Sequence, residues 1–340
     1  MKKAVILFNL GGPDSINAVE PFLFNLFYDP AIINLPSFLR YPLAKLISKL
    51  RAPVAKTIYG EMGGKSPILE ETQKQAMSIE KSLNQESDVY KCFIVMRCWN
   101  PRAKETVLNV KNFNPDQIIL LPLYPQFSNA TSGSSIKEWT ETCKKENVTT
   151  ETKIICCYPT EQNFILSHAN LIKEKIKEKK LSEFVLIFSA HGLPEKMIKQ
   201  GDPYQWQVEK TVQSVVEKLN ISNLNYILSY QSRVGPVKWI GPSTENIIKM
   251  ESKKQKQIVV VPIAFVSEHS ETLVELDIEY KKLAIENGSK DYIRVPALTC
   301  HPDFIESLKT IILSADNGKP FTSSINCSAK STKCPRLQTI

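Results

Sequence analysis

No stretch of this 340-residue sequence reaches the roughly 18 uninterrupted apolar residues that carry a helix across a bilayer. Its richest apolar region is broken by Asn25, Asp29, Pro30, Asn34 and Arg40. A secretory leader is not expected either: Met1-Lys2-Lys3 and the apolar Ala4 to Leu10 imitate one, but Gly11-Gly12-Pro13-Asp14 follows without a small-residue cleavage site. Glycine is sparse at 12 residues and the 21 prolines form no repeat, which excludes collagen-like and wholly disordered classes. The eight cysteines, at 92, 98, 143, 156, 157, 300, 327 and 334, are too dispersed for the disulfide framework of a small secreted domain. A reducing, cytoplasmic setting is the expectation. The 43 Lys and Arg exceed the 35 Asp and Glu by eight, yet they do not gather on a recognisable module or interleave with aromatics, so no nucleic-acid partner is expected.

What is present is a rhythm of buried strands and helices. Strand-like runs occur at 4–10, 91–97, 117–121 and 152–157, and again at 184–188, 225–229, 258–264 and 292–295. Runs such as Phe184-Val-Leu-Ile-Phe188 and Ile258-Val-Val-Val261 are apolar throughout, as expected of parallel strands covered on both faces. Helical patterns at 67–83, 161–179, 203–219 and 271–287 fill the gaps. The alternation predicts an α/β fold of two similar Rossmann-like domains, each with a four-stranded parallel sheet flanked by helices. The expected division is 1–160 and 161–300, with a C-terminal helix at about 302–314 and a flexible Ser/Thr/Lys-rich tail at 316–340. Residues 21–50, rich in Phe, Leu and Ile with Arg40, Lys45 and Lys49 among them, are too apolar for a connecting loop and read as a surface lip.

Two strand ends concentrate chemistry. The run Leu186-Ile-Phe-Ser-Ala-His-Gly-Leu-Pro194 delivers His191 to the carboxyl end of a strand, where open α/β sheets bind ligands. The run Val260-Val-Pro-Ile-Ala-Phe-Val-Ser-Glu-His-Ser-Glu-Thr272 ends the same way, in Glu268, His269 and Glu271. Glu271, Glu275 and Glu279 then recur at i, i+4 and i+8, three like charges along one helix face that weaken it unless they are solvated or used. Imidazole and carboxylates without thiolates make a borderline-hard site that can take up a divalent first-row metal and release it. The same side chains can accept protons near neutrality.

These blocks resemble the ferrochelatase family, which inserts Fe²⁺ into a porphyrin. The resemblance runs in order through Asn9-Leu-Gly-Gly-Pro13, Tyr59 to Pro67, Leu121-Pro-Leu-Tyr-Pro-Gln126 with Thr131-Ser-Gly-Ser-Ser135, Phe188 to Pro194, Tyr230 to Pro236 with Trp239-Ile-Gly-Pro242, and Ser267 to Asp277. It implies two Rossmann-like domains with the porphyrin between them and the C-terminal helix returning to the first. It further implies His191 as proton acceptor or metal ligand, Glu271 as its partner, and His269, Glu275 and Glu279 as an acidic path for the metal. Leu10, Tyr59 and Trp239 would be walls against the macrocycle, and Arg51, Ser66 and Arg97 would meet its carboxylates. Where the family commonly has Arg-Tyr this chain has Arg97-Cys98, so one phenol is missing.

The implied partners are protoporphyrin IX and Fe²⁺, with an anionic membrane surface against the lip and a peripheral location at the inner face of the membrane. Some members of the family hold a [2Fe–2S] cluster on C-terminal cysteines. Cys327 and Cys334 are separated by six residues without a closely spaced triplet, and although Cys300, Cys156 or Cys157 could complete a set of four thiolates nothing in the spacing demands it, so no tightly bound cofactor is expected. The residues leave open a non-catalytic porphyrin or haem carrier, and a chelatase for another metal or for coproporphyrin.

Overall fold

The computed structural model describes residues 1–84, 88–233, 235, 237–316, 318 and 321–338, with backbone alone at 336 and 338. Val234 and Pro236 of the motif blocks, and residues 317, 319, 320, 339 and 340 of the expected tail, lie outside the described residues. The chain divides into two compact units, Met1–Cys156 with Leu308–Ser323, and Cys157–Ser307 with Ser324–Ile340.

In the first unit, β1 (Lys2–Asn9), β2 (Val89–Met96), β3 (Gln117–Pro122) and β4 (Thr152–Cys157) lie in the order β2-β1-β3-β4, with parallel pairing from β2 through β4. The central strands are buried on both faces, from Ala4 to Phe8 and from Ile118 to Leu121, which is why their sequences lack alternation. Helices α1 (Val19–Tyr28), α2 (Ser37–Gly60), α3 (Ile68–Leu83), α4 (Ala103–Phe113) and α5 (Ser134–Lys145) make up the rest of this half, with a short π-turn at Asn129–Gly133 leading into α5. Strand β2 is a sheet edge, and α3 blunts it. Asn84, capping that helix, bonds both the N–H and the C=O of Tyr90, while Glu80 accepts from the N–H of Cys92.

The second unit repeats the plan. Strands β5 (Phe184–His191), β6 (Tyr226–Gln231), β7 (Gln257–Pro262) and β8 (Tyr292–Arg294) form an all-parallel sheet in the order β6-β5-β7-β8. Among its helices are α6 (Gln162–Ile176), α7 (Glu195–Lys199), α8 (Tyr204–Leu219), α9 (Thr244–Lys253) and α10 (Lys281–Glu286). Helix α11 (Pro302–Asp316) begins in this unit and ends in the first. The shared strand order puts a topological switch point between β1 and β3 in one unit and between β5 and β7 in the other.

Three expectations need correction. The first sheet has five strands, because β9 (Phe321–Ser323) adds beside β4. Residues 316–340 are therefore no uniformly flexible tail. They also carry α12 (Pro335–Gln338), and Cys334 is only 1% exposed. Weak periodicity hid this order because a three-residue edge strand borrows its hydrogen bonds from an existing sheet and needs little apolar surface of its own. The helix expected over 271–287 is an α-helix only at Lys281–Glu286; Glu271–Tyr280 is a π-helix.

Candidate active site

His191 ends β5, and the loop after β7 carries Glu268 and His269 and leads into Glu271, the first residue of the π-helix, so His191 and Glu271 meet at the β5/β7 switch point of the second unit. Gly192 permits the approach: a Cβ there would stand 2.8 Å from the carbonyl oxygen of Gln231 and 3.3 Å from the Trp239 ring. The Tyr204 hydroxyl, at the start of α8, donates to the His191 carbonyl at 3.0 Å. Phe265 packs edge-on to both imidazoles, with ring centroids 6.4 Å from His191 and 4.7 Å from His269.

His191 Nδ1 lies 2.8 Å from Glu271 Oε1. A carboxylate only accepts, so the Nδ1–H donates to it and leaves the Nε2 lone pair free. The two side chains retain 38% and 28% of their surface, enough to be reached by a ligand. Burial lowers the pKa of His191, but the charge and hydrogen bond of Glu271, with Glu275 behind, outweigh it and raise the value above that of an ordinary histidine. Glu271 is held down at about 2, since His191 more than offsets the burial that would raise it. His269 is set up differently. Its Nδ1 accepts the backbone N–H of Glu271 at 3.1 Å, so its proton sits on Nε2, and burial lowers its pKa and keeps it neutral. The tautomer thus offers a hydrogen-bond donor at Nε2, whereas an acidic path would want a lone pair.

Glu275 also departs from the path role. Its carboxylate accepts four hydrogen bonds: Ser232 N–H at 2.9 Å and Tyr280 hydroxyl at 2.8 Å on Oε1, Gln231 Nε2 at 2.9 Å and Ser232 hydroxyl at 2.6 Å on Oε2. Those bonds occupy about as many acceptor positions as a carboxylate has. Glu279 is exposed, and partial burial together with Glu275 raises its pKa. On the other side of the π-helix, Arg294 from β8 forks onto Asp277 at 2.7 and 2.8 Å and reaches Glu268 at 2.9 Å, while the Ala297 N–H donates to Glu268 at 2.9 Å. Among the described residues no group of three or more His, Cys, Asp or Glu side chains is arranged to hold a metal ion.

The remaining candidates fall into two sets. Trp239 stays in the second unit, half-buried, bridged through its backbone to Pro194 and packed beside Gly192. Leu10, Tyr59, Ser66, Arg51 and Arg97 belong to the first unit. Tyr59 is buried, and Leu10 packs against the same apolar cluster as Phe22 and Cys98, so these two serve that unit's own core. Ser66 is also buried and bonds Pro13 through its N–H. Arg51 is exposed, its guanidinium 5.9 Å over the Phe27 ring. Arg97, expected at substrate carboxylates, is instead committed internally. It pairs with Asp29 at 3.0 Å and Glu138 at 3.3 Å and donates to Ser134 at 2.7 Å, with only 12% of its side chain exposed. The motif places a cation there but does not reveal the carboxylates opposite it.

Sequence reasoning assigned no role to Gln231, Ser232, Tyr280, Arg294 and Tyr204, whose residue types are ordinary and carry no signal of their own. It named Cys157 only as one of three cysteines that could join Cys327 and Cys334, since nothing in the spacing selected it. In the second unit Cys327 is hydrogen-bonded to Cys157 and Cys334, and Gln207 Nε2 lies 3.3 Å from the Cys157 sulfur and 3.2 Å from that of Cys327. The neighbouring thiols and burial push the Cys327 pKa up.

A family model for ferrochelatase matches residues 2–316. The chain belongs to the ferrochelatase family. A ferrochelatase of Pelagibacter ubique is 64% identical over 343 residues, covering 99% of each chain, and one of Rickettsia bellii is 53% identical over 317 residues, covering 93% of this chain and 88% of that one. This chain is accordingly an enzyme, a metal–porphyrin chelatase. Among solved structures, SirB from Bacillus subtilis with Fe³⁺ superposes with a TM-score of 0.57 at 10% identity, covering 93% of this chain and 96% of that one. That likeness speaks for the chelatase fold.

Proposed function

We propose that this ferrochelatase inserts Fe²⁺ into protoporphyrin IX to form protohaem, the last step of haem biosynthesis, and that His191 Nε2 takes protons from the ring. The observation that carries the reading is the His191–Glu271 dyad, 2.8 Å apart at a sheet switch point, with its free lone pair pointing away from Glu271. Free-base porphyrin holds two N–H protons at its centre and must be bent before its nitrogens can reach a metal. As each N–H bond breaks, its electron pair stays on the ring nitrogen to bind iron and the proton leaves. His191 accepts the first proton as imidazolium, a charge the carboxylate of Glu271 stabilises, releases it to water from its solvent-exposed edge, and as a neutral base again accepts the second, which leaves the same way. Two protons leave in total, balancing the two charges of the incoming ion. Walls that favour the bent ring over the flat one lower the barrier by differential binding, with Trp239 beside the dyad as a candidate wall.

Arg51 is the candidate for the carboxylates of the porphyrin, being exposed with its guanidinium over the Phe27 ring. The enzyme works without a tightly bound cofactor in this reading. The exposed Phe38, Leu39, Leu46, Leu50 and Val54 of α2, with Lys45, Lys49 and Arg51 between them, dock it on an anionic membrane surface from the cytoplasmic side.

The test is an anaerobic assay with Fe²⁺ and protoporphyrin or coproporphyrin, followed by visible absorbance. The wild-type chain metallates the ring, and His191→Ala loses at least about 100-fold in rate while still binding porphyrin. Normal turnover in that variant overturns the assignment of the base. Porphyrin binding without turnover in the wild type would mark a carrier.

A further inference from the structure

We infer that Glu275 is a positioning residue: with Gln231, Ser232 and Tyr280 it clamps the π-helix to the end of β6 and thereby holds Glu271 against His191. The inference rests on the chelatase reading above and assigns Glu275 a task other than carrying metal.

A π-helix is rare and normally lasts a single turn, so ten residues of it, Glu271–Tyr280, call for something that holds them. The clamp begins on the sheet. Ser189, two residues before His191 on β5, donates to Gln231 Oε1 at 2.6 Å. With its oxygen engaged, the amide must direct Nε2 at the π-helix, where it donates to Glu275 Oε2 at 2.9 Å and to the Glu271 carbonyl at 3.2 Å. Gln231 pairs in register with His191 across β5 and β6, so one side chain ties the strand of the base to the backbone of its carboxylate partner. Ser232 follows with φ of 59°, a left-handed conformation uncommon outside glycine, and turns both its N–H and its hydroxyl onto Glu275. Tyr280, the last residue of the π-helix, closes the clamp. A passing cation would have to break these bonds to use Glu275, since its acceptor positions are filled.

The test compares Glu275→Gln with Tyr280→Phe, which removes one donor hydroxyl on Glu275 and leaves every carboxylate in place. With the clamp, both lower kcat, Glu275→Gln by about 10- to 100-fold, while KM for Fe²⁺ stays where it is. Glu275→Gln combined with Tyr280→Phe is then no worse than Glu275→Gln alone. A raised KM for Fe²⁺ with unchanged kcat in Glu275→Gln, and a silent Tyr280→Phe, overturns the clamp in favour of a metal path. A second readout does not depend on turnover: the downfield proton resonance of His191 Nδ1–H bonded to Glu271 is present in the wild type and lost in Glu275→Gln and Tyr280→Phe. Persistence of that resonance in both variants also overturns the clamp. If instead the wild type shows no metallation but the variants lose the resonance, the functional reading falls and the clamp stands.

Discussion

At Glu271 two electrostatic effects oppose each other. Burial favours the neutral acid, yet the adjacent imidazole holds the carboxyl ionised down to about pH 2. The same contact raises His191, against its own burial. The two shifts have opposite pH signatures. The contribution of His191 to stability is full below the ordinary histidine value of about 6.5 and is lost as pH rises through its raised folded value. That of Glu271 is full above the ordinary glutamate value of about 4.3 and is lost as pH falls toward its depressed one. Their shared stabilisation is therefore greatest between those two ordinary values. Thermal melts of wild type and His191→Ala across this range should differ most near about pH 5 to 6, with the gap narrowing toward about pH 9. A gap that widens with pH would contradict the dyad. Solvent access to both side chains keeps the effect modest.

The π-helix is the element in which neighbouring contacts prevailed over local pattern. Glutamates at i, i+4 and i+8 are as compatible with an α-helix, and nothing in the spacing of Glu271, Glu275 and Glu279 announces the wider turn. The cause lies on neighbouring strands: β6 grips Glu275, and β8 supplies Arg294 to grip Asp277 and Glu268. Arg294 is 10% exposed and its partner Glu268 16% exposed. Removing the guanidinium leaves carboxylates there without their cation, so Arg294→Ala should cost about 3 kcal/mol. Asp277, at 37% exposure, recovers some hydration and keeps the figure from being larger. Chemical denaturation that shows less than about 1 kcal/mol would mean that the π-helix is held elsewhere.

On the scale of the whole molecule, each unit has its own parallel sheet in the same strand order, and one of them bears the apolar surface of α2. Helix α2 turns Ala44, Ser48, Ala52 and Tyr59 inward, leaving Phe38 and Leu50 outward at 73% and 68% exposure. No helix among the described residues is long and apolar enough to cross a membrane. If the exposed face rests on a bilayer, replacing one such residue by a charged one forfeits about 1.5 to 3 kcal/mol of apolar burial. Leu50→Glu should then weaken co-sedimentation with vesicles containing phosphatidylserine by about tenfold or more. Unchanged co-sedimentation would show that α2 does not face lipid.

Much of this was legible before any coordinates. The central strands announced themselves most clearly, because a parallel strand buried on both faces is apolar along its length, as Phe184 to Phe188 is, while the edge strands showed as shorter apolar runs between turn residues. His191 and Glu271 were legible because strand ends in an open α/β sheet face the ligand side. Neighbours brought together from remote parts of the chain were not. Phe321–Ser323 became a strand only by lying beside β4, Arg97 was claimed by Asp29 and Glu138, and Glu275 was filled by donors from Gln231, Ser232 and Tyr280. The amino-acid order by itself thus determined which segments must be buried and which chemical groups stand at their ends, since both follow from local pattern. The tertiary structure alone decided which of those groups remain available to a substrate, because a charge is free or spent according to what lies across from it in space.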